Sequence, residues 1–153
     1  MFGLFRKKPE SYFTQQDQDA IVEAIRKAEQ RTSGEIRIYI EGKCRMVNPV
    51  HRAQEIFHQQ NMQHTDQRNA VLLYVAMKDR QLAVYGDEGI HAKVGTEFWT
   101  AQVKKMLQQF AQQNYVTGFV QIIHEIGEAL VQHFPYDKAT DKNELPDDIL
   151  FGK

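Results

Sequence analysis

The first repeating pattern of hydrophobic residues along the chain has the period of a helix. Its members are Ile21, Ala24, Ile25 and Ala28. Residues three, four and seven positions apart share one face of a helix, so this segment is expected to bury one side. Thr14 precedes the pattern and Asp17 follows three residues later, and this pair predicts a capping box at the amino-terminal end of the helix.

The pattern changes to an alternation of period two after Gly34. Ile36, Ile38 and Ile40 are separated by polar or amphipathic residues, as expected of a strand that buries one face better than the other. Asn48-Pro49 then predicts a second helix, with proline in its first turn, that extends to about residue 60.

A nearly continuous apolar run at residues 70–77 predicts a central strand that is covered on both faces. Residues 78–81 predict a turn, after which residues 82–85 return as a third strand that is antiparallel to the second. Two amphipathic helices complete the pattern. Their apolar residues are Trp99, Val103, Met106, Leu107 and Phe110 in one, and Phe119, Ile122, Ile123, Ile126 and Leu130 in the other, with Thr117 as a candidate cap.

The predicted order α-β-α-β-β-α-α favours an α/β fold, a compact sandwich in which a small mixed sheet is flanked by helices on both faces. The helical connection makes the first and second strands parallel, whereas the hairpin makes the third strand antiparallel to the second. The end of the third strand, at residues 86–89, is therefore expected at the same sheet edge as the starts of the other two, at residues 33–35 and 68–69.

Length and composition indicate one domain. The chain has 153 residues, of which 42% are hydrophobic and 25% charged, as is ordinary for a globular protein. We expect a domain at residues 12–136, a flexible amino terminus at 1–11, and an acidic tail at 137–153 that packs on the domain or trails from it. The chain has 19 Lys and Arg and 20 Asp and Glu, which gives a net charge of −1. Because the chain has no excess of positive charge, nucleic acid is not an expected partner.

The ends of the chain and its single cysteine bear on location. Residues 1–5 are apolar and Arg6-Lys7-Lys8 follow them, the reverse of the order in a secretory signal. No run approaches the roughly 20 apolar residues of a spanning helix, and Cys44 alone cannot form an internal disulfide. We expect a cytoplasmic monomer that does not span a membrane, while the apolar and basic amino terminus leaves contact with a lipid surface open.

Three segments together resemble a known family. Thr32-Ser33-Gly34-Glu35-Ile36, residues 68–75 and residues 86–90, with Phe98-Trp99 downstream, are similar to the signature stretches of the TPM-domain family, and the similarity extends over residues 12–151. The family includes thylakoid-lumen acid-phosphatase-like proteins, photosystem II repair proteins and many bacterial proteins. The resemblance implies an α/β sandwich, divalent-cation binding as in some members, and the phosphatase activity claimed for plant members. Asn69-Ala70 stands where the family commonly has Asn-Gly.

The convergence of the three segments gathers oxygen donors at one sheet edge. Glu35, Asp87 and Glu88 supply carboxylates, Asp66 lies in the loop before the second strand, and Asn69 adds an amide oxygen. Hard cations such as calcium take about six to eight oxygen ligands. We predict weak binding of calcium or another divalent cation by these five residues, and no other cofactor. The alternative is that residues 86–89 form a strand-ending turn and Glu35 is a solvated or helix-capping carboxylate.

Two classes of function remain open. The first is a noncatalytic binding or assembly module that recognises a protein partner, with membrane-associated proteins among the candidates. The second is a metal-dependent hydrolase of phosphate esters, with hydroxide generated from a bound water and Asp87 as a metal ligand. The chain lacks the known phosphatase motifs: Val50 stands where a cysteine phosphatase needs an arginine six residues after Cys44, and no strand ends in Asp-x-Asp. The module is therefore the favoured prediction.

Overall fold

The structure, a computed structural model, describes residues 8–137 and 148–152. It opens with a 3-10 helix, Pro9–Tyr12. The elements that follow are α1 (Gln15–Glu29), β1 (Glu35–Glu41), α2 (Pro49–Gln59), β2 (Ala70–Ala76), β3 (Gln81–Gly86), α3 (Glu88–Ala111), α4 (Tyr115–His133) and β4 (Ile149–Phe151). The predicted α/β fold and the predicted order of elements are confirmed, with β4 added at the end.

The sheet has the order β3-β2-β1-β4. β1 and β2 are parallel, with Glu35 opposite Ala70, and β2 and β3 are antiparallel, with Val71 opposite Gly86. The starts of β1 and β2 and the end of β3 therefore meet at one edge of the sheet, as predicted. We call this edge the rim and define it as residues 33–35, 66–69 and 86–89.

Helices cover both faces of the sheet. The larger core joins Ile36, Ile38 and Ile40 to buried residues of α1, α3 and α4, whereas the smaller core packs α2 against the opposite face. All seven residues of β2 are buried, which confirms the prediction of a strand covered on both sides. At the amino end of α1, the side chain of Thr14 accepts a hydrogen bond from the backbone N–H of Asp17, and the predicted capping box is complete.

Two helix starts differ from the sequence prediction. Residues 86–89 are not a turn: Gly86 ends β3, Asp87 caps α3 by accepting a hydrogen bond from the N–H of Glu88, and α3 begins at Glu88. The second helix of the pair begins earlier than Thr117, because Gln113 adopts a left-handed backbone with φ 62° and the chain enters α4 directly after Asn114. Thr117 lies inside α4, so its prediction as a cap was wrong.

Part of the predicted acidic tail belongs to the sheet. β4 runs parallel to β1, with Ile149 opposite Ile38 and Phe151 opposite Ile40. Residues 138–147, which carry most of the acidic groups of the tail, lie outside the described residues, as do residues 1–7 with their apolar and basic sequence. Among the helices of the described residues, none combines the length and apolar character that crossing a bilayer requires.

Candidate functional site

Backbone hydrogen bonds join the three segments of the rim. The N–H of Glu35 donates to the carbonyl of Asn69 at 3.3 Å, and the N–H of Asp87 donates to the carbonyl of Ala70 at 2.9 Å. The N–H of Gly89 donates to the carbonyl of Arg68 at 2.8 Å. The loop before β2 is thus held between the start of β1 and the first turn of α3, so its side chains face groups that are distant in sequence.

Arg68 lies at the centre of the acidic part of the rim. Its Nε and Nη2 atoms donate to the two carboxylate oxygens of Asp87 at 2.7 and 2.8 Å, and its Nη1 donates to Glu88 at 3.1 Å. Asp87 is buried, whereas 39% of the Arg68 side chain is exposed. The hydrogen bonds that Arg68 donates to Asp87 raise the pKa of Arg68, so the guanidinium stays charged. A two-point contact of this kind fixes orientation as well as charge.

Arg68 was missing from the predicted site. Sequence reasoning selected oxygen donors, and a cation did not fit that criterion. The signal that could have identified it is its position immediately before Asn69 in the second family segment, because the topology that brings Asn69 to the rim brings Arg68 there too. A lone arginine among several carboxylates is a natural ion-pair partner.

Asn69 is held in a buried polar pocket beside Arg68. Its Nδ2 donates to Ser33 Oγ at 3.1 Å, its backbone N–H donates to Thr65 Oγ1 at 3.1 Å, and Gln67 also donates to Ser33 Oγ, at 3.2 Å. The Oδ1 atom of Asn69 is buried without a hydrogen-bond partner in the structure. Buried amide oxygens are normally satisfied, so this atom is an acceptor suited to a water molecule or a cation.

The five predicted ligands reach the rim but do not form a shared set. Asp87 and Glu88 converge on Arg68, Glu35 is buried at the start of β1, Asn69 lies in the polar pocket, and Asp66 is exposed. Within the described ranges, no three side chains of His, Cys, Asp or Glu are grouped as a metal site requires. Carboxylate and amide oxygens suit a hard cation. The arrangement is nonetheless not a preformed cation site, because a guanidinium stands between two of the carboxylates.

Several residues of the family segments support the backbone of the rim. A Cβ on Gly89 would lie 2.1 Å from the carbonyl oxygen of Gln67, so only glycine lets α3 approach the loop this closely. Thr32 Oγ1 contacts the carbonyl of Leu130 at 3.1 Å and accepts from the N–H of Gly34 at 3.0 Å, which ties the end of α4 to the rim. Ala70 is wholly buried in the smaller core, so its methyl group is accommodated by packing.

A second ion pair, more deeply buried than the first, lies at the opposite end of β1. Arg52 on α2 donates through Nε and Nη2 to the two carboxylate oxygens of Glu41, both at 2.9 Å, and the hydroxyl of Tyr74 donates to the same carboxylate. Burial, followed by the hydrogen bond to Glu41, raises the pKa of Tyr74. This group is enclosed in the protein and faces away from the rim, so its role is to hold α2 on the sheet.

Comparison with known proteins gives matches to one family and to several solved structures. The model of the TPM domain matches residues 7–129. The BA42 protein of the psychrophilic bacterium Bizionia argentinensis is 40% identical, with a TM-score of 0.83 over 92% of this chain and 95% of that one. None of the curated proteins matches the chain.

Two more distant solved structures share the fold. The N-terminal domain of the cg2496 protein from Corynebacterium glutamicum is 14% identical, with a TM-score of 0.57 over 77% of this chain and 74% of that one. The N-terminal domain of a P. gingivalis protein is 11% identical, with a TM-score of 0.66 over 82% of each chain. At these identities the likeness concerns the fold alone.

Proposed function

The chain belongs to the TPM domain family, and from the geometry of its rim we propose that it is a noncatalytic binding module whose rim contacts a protein partner. The observation that supports this proposal is the contact of Arg68 with Asp87 and Glu88. The carboxylates that would serve a hydrolase as metal ligands are used to hold the β2 loop against the start of α3. The rim is thereby built as a stable surface.

The outer part of the rim has the character of a binding surface. The side chain of Glu88 is 72% exposed, and Asp66 and Gln67 are also exposed, whereas the backbone beneath them is fixed by the bonds to Arg68 and Asn69. Rigid backbone with exposed carboxylates suits a partner that presents basic groups, because complementary charge steers association and fixes register. We further predict that the protein is a monomer and that it is located in the cytoplasm.

We further propose that the rim binds calcium or a similar divalent cation weakly, in competition with Arg68. The buried Oδ1 of Asn69 and the exposed carboxylates of Asp66 and Glu88 are oxygen donors of the kind that such ions prefer. An ion that also used Asp87 would have to displace a guanidinium that makes two hydrogen bonds to it. The loss of that ion pair would oppose binding, and this competition is the reason to expect low affinity.

One pair of measurements separates the module from the hydrolase. Hydrolysis of p-nitrophenyl phosphate should stay at the background rate with and without calcium or magnesium, while a calcium titration followed by backbone NMR should shift residues 33–35, 66–69 and 86–89. Metal-dependent turnover that Asp87→Asn abolishes would establish the hydrolase and overturn the module. A titration that leaves all three rim segments unchanged would remove cation binding and leave the partner-binding proposal to be tested by itself.

A further inference from the structure

The end of the sheet opposite the rim carries exposed apolar residues and cations side by side. Met46 and Val47 lie in the loop between β1 and α2, and Val50 lies in the first turn of α2. Their exposed fractions are 37%, 99% and 42%. Large apolar side chains that protrude together from a protein surface commonly mark an interaction site. We use the name basic end for residues 43–50, which comprise the loop and the first two residues of α2, together with the neighbouring turn at residues 78–80.

Four exposed cations lie in the two segments of the basic end. Lys43 and Arg45 precede Met46 in the loop, and Lys78 and Arg80 lie in the β2–β3 turn. The turn and the loop are joined: the N–H of Lys78 donates to the carbonyl of Gly42 at 2.8 Å, and the N–H of Cys44 donates to Asp79 Oδ2 at 2.6 Å. Asp79 is the one carboxylate within the two segments of the basic end as defined, so these segments have a surplus of positive charge.

From this arrangement we infer that the basic end docks on an anionic lipid surface. Met46 and Val47 enter the headgroup region, and the four cations contact lipid phosphates. Apolar side chains flanked by lysine and arginine suit the boundary between headgroups and acyl chains, where each part meets its preferred surroundings. An acidic protein would account for the cations, but it gives no reason for a valine in this loop that is almost wholly exposed.

The location of the basic end gives the docked protein an orientation. β1 starts at the rim with Glu35 and ends at Glu41. Only Gly42 separates the end of this strand from the first residue of the basic end, Lys43. Seven strand residues span about 20 Å. A protein held on a membrane by the basic end therefore presents its rim to the aqueous phase, where a partner can reach it. The two surfaces are independent, so failure of one proposal leaves the other intact.

Sedimentation of the full chain with lipid vesicles tests the inference. We expect binding to vesicles of phosphatidylcholine and phosphatidylglycerol in equal amounts, and little binding to phosphatidylcholine alone. Each basic residue near an anionic surface contributes about a five-fold factor in affinity. Lys43→Gln/Arg45→Gln should therefore weaken binding by roughly 20-fold. The matched control Lys27→Gln/Lys93→Gln removes the same charge from exposed positions on α1 and α3 and should change binding by less than about two-fold.

Val47→Ser distinguishes lipid from an acidic protein. Val47 is 99% exposed, so the change should leave folding unaffected. It should weaken vesicle binding several-fold while leaving binding to soluble poly-L-glutamate unchanged. The inference would be overturned if Lys27→Gln/Lys93→Gln weakened vesicle binding as much as Lys43→Gln/Arg45→Gln does. It would also be overturned if the protein did not bind anionic vesicles at low salt, or if Val47→Ser left vesicle binding unchanged. Binding that survives the loop variants but is lost in Leu4→Ser/Phe5→Ser would also overturn it, by assigning the contact to the amino terminus.

Discussion

Gly86 at the end of β3 lies directly against the ring of Trp99 on α3. A Cβ at position 86 would be 2.3 Å from Cζ2 of that ring and 2.7 Å from Cη2. The indole is also held by a hydrogen bond from its Nε1 to Nδ1 of His91, at 3.0 Å. Two parts of the family pattern that are separated along the chain are therefore one packing unit, in which the glycine provides space and the tryptophan fills it.

Gly86→Ala should destabilise the protein, because the added methyl group displaces a large ring that is hydrogen-bonded in place. Overpacking of this kind costs about 1–3 kcal/mol in the free energy of unfolding, which urea denaturation measures. Trp99 is the single tryptophan of the chain, so its fluorescence emission should shift to longer wavelength as the ring moves toward water.

Gly42→Ala is the matched control for this change. A Cβ at position 42 would be 3.7 Å from Cδ of Lys78, an ordinary contact. The variant should unfold within about 0.5 kcal/mol of the wild type. Equal losses of stability in the two variants would show that Trp99 does not set the requirement for glycine at position 86.

Arg68→Gln should strengthen calcium binding at the rim. The substitution removes the cation that holds Asp87 and Glu88, and a unit charge about 4 Å from a divalent ion opposes it enough to change affinity on the order of ten-fold. Isothermal titration calorimetry with calcium alone measures the change. Because Arg68 also braces the loop, the titration should be accompanied by a backbone NMR spectrum that shows the variant to be folded.

Two further variants complete this experiment. Arg45→Gln removes an equal charge at the opposite end of the sheet and should change calcium affinity less than two-fold. Glu88→Gln removes an exposed carboxylate from the rim and should weaken binding. If calcium affinity is the same in Arg68→Gln, Arg45→Gln and the wild type, the proposal that calcium competes with Arg68 is wrong.

Glu41→Gln should cost about 3 kcal/mol of stability. The carboxylate of Glu41 is buried and accepts two hydrogen bonds from Arg52, so its neutralisation leaves a largely buried guanidinium with Glu55 as its remaining anionic partner. The double variant Glu41→Gln/Arg52→Met should lose less than the single one, because the unpaired charge is gone. Thermal or urea unfolding measures the stability of both variants. A double variant less stable than Glu41→Gln would contradict this account.

Tyr74→Phe should change how stability depends on alkaline pH. The folded protein raises the pKa of Tyr74 through burial and its bond to Glu41, so above about pH 10 the unfolded chain loses a proton that the folded protein keeps. The stabilisation from Tyr74 is complete below that pH and is lost progressively above it, at about 1.4 kcal/mol per pH unit.

The difference in unfolding free energy between wild type and Tyr74→Phe isolates this effect. It should be constant from pH 8 to about pH 9.5 and then fall as the pH rises, because the variant lacks the ionising group. Other tyrosines are present in both proteins and cancel in the comparison. A difference that stays constant to pH 11 would show that Tyr74 ionises as easily in the folded protein as in the unfolded chain.

Much of the fold could be predicted because its signals are local. The capping box at Thr14 and Asp17, the alternation of Ile36, Ile38 and Ile40, and the proline after Asn48 each depend on a few neighbouring residues. β4 escaped prediction because three residues carry too little periodicity, and its pairing depends on an open edge of β1. The start of α3 was missed because a glycine at position 89 is typical of a turn. In the structure, glycine is required there because the carbonyl groups of Gln67 and Arg68 lie against the first turn of α3.

By itself, the sequence determined the four helices and the first three strands, and the directions of these strands brought Glu35, Asn69 and Asp87 to one edge. Only the tertiary structure decided what these groups do there. The partner of Asp87 is Arg68, 19 residues away in the chain, and the partner of Glu41 is Arg52, which lies on the helix α2 that packs on the sheet. Periodicity is a property of neighbours along the chain, whereas the pairing of charges depends on distances that exist only after distant segments have packed together.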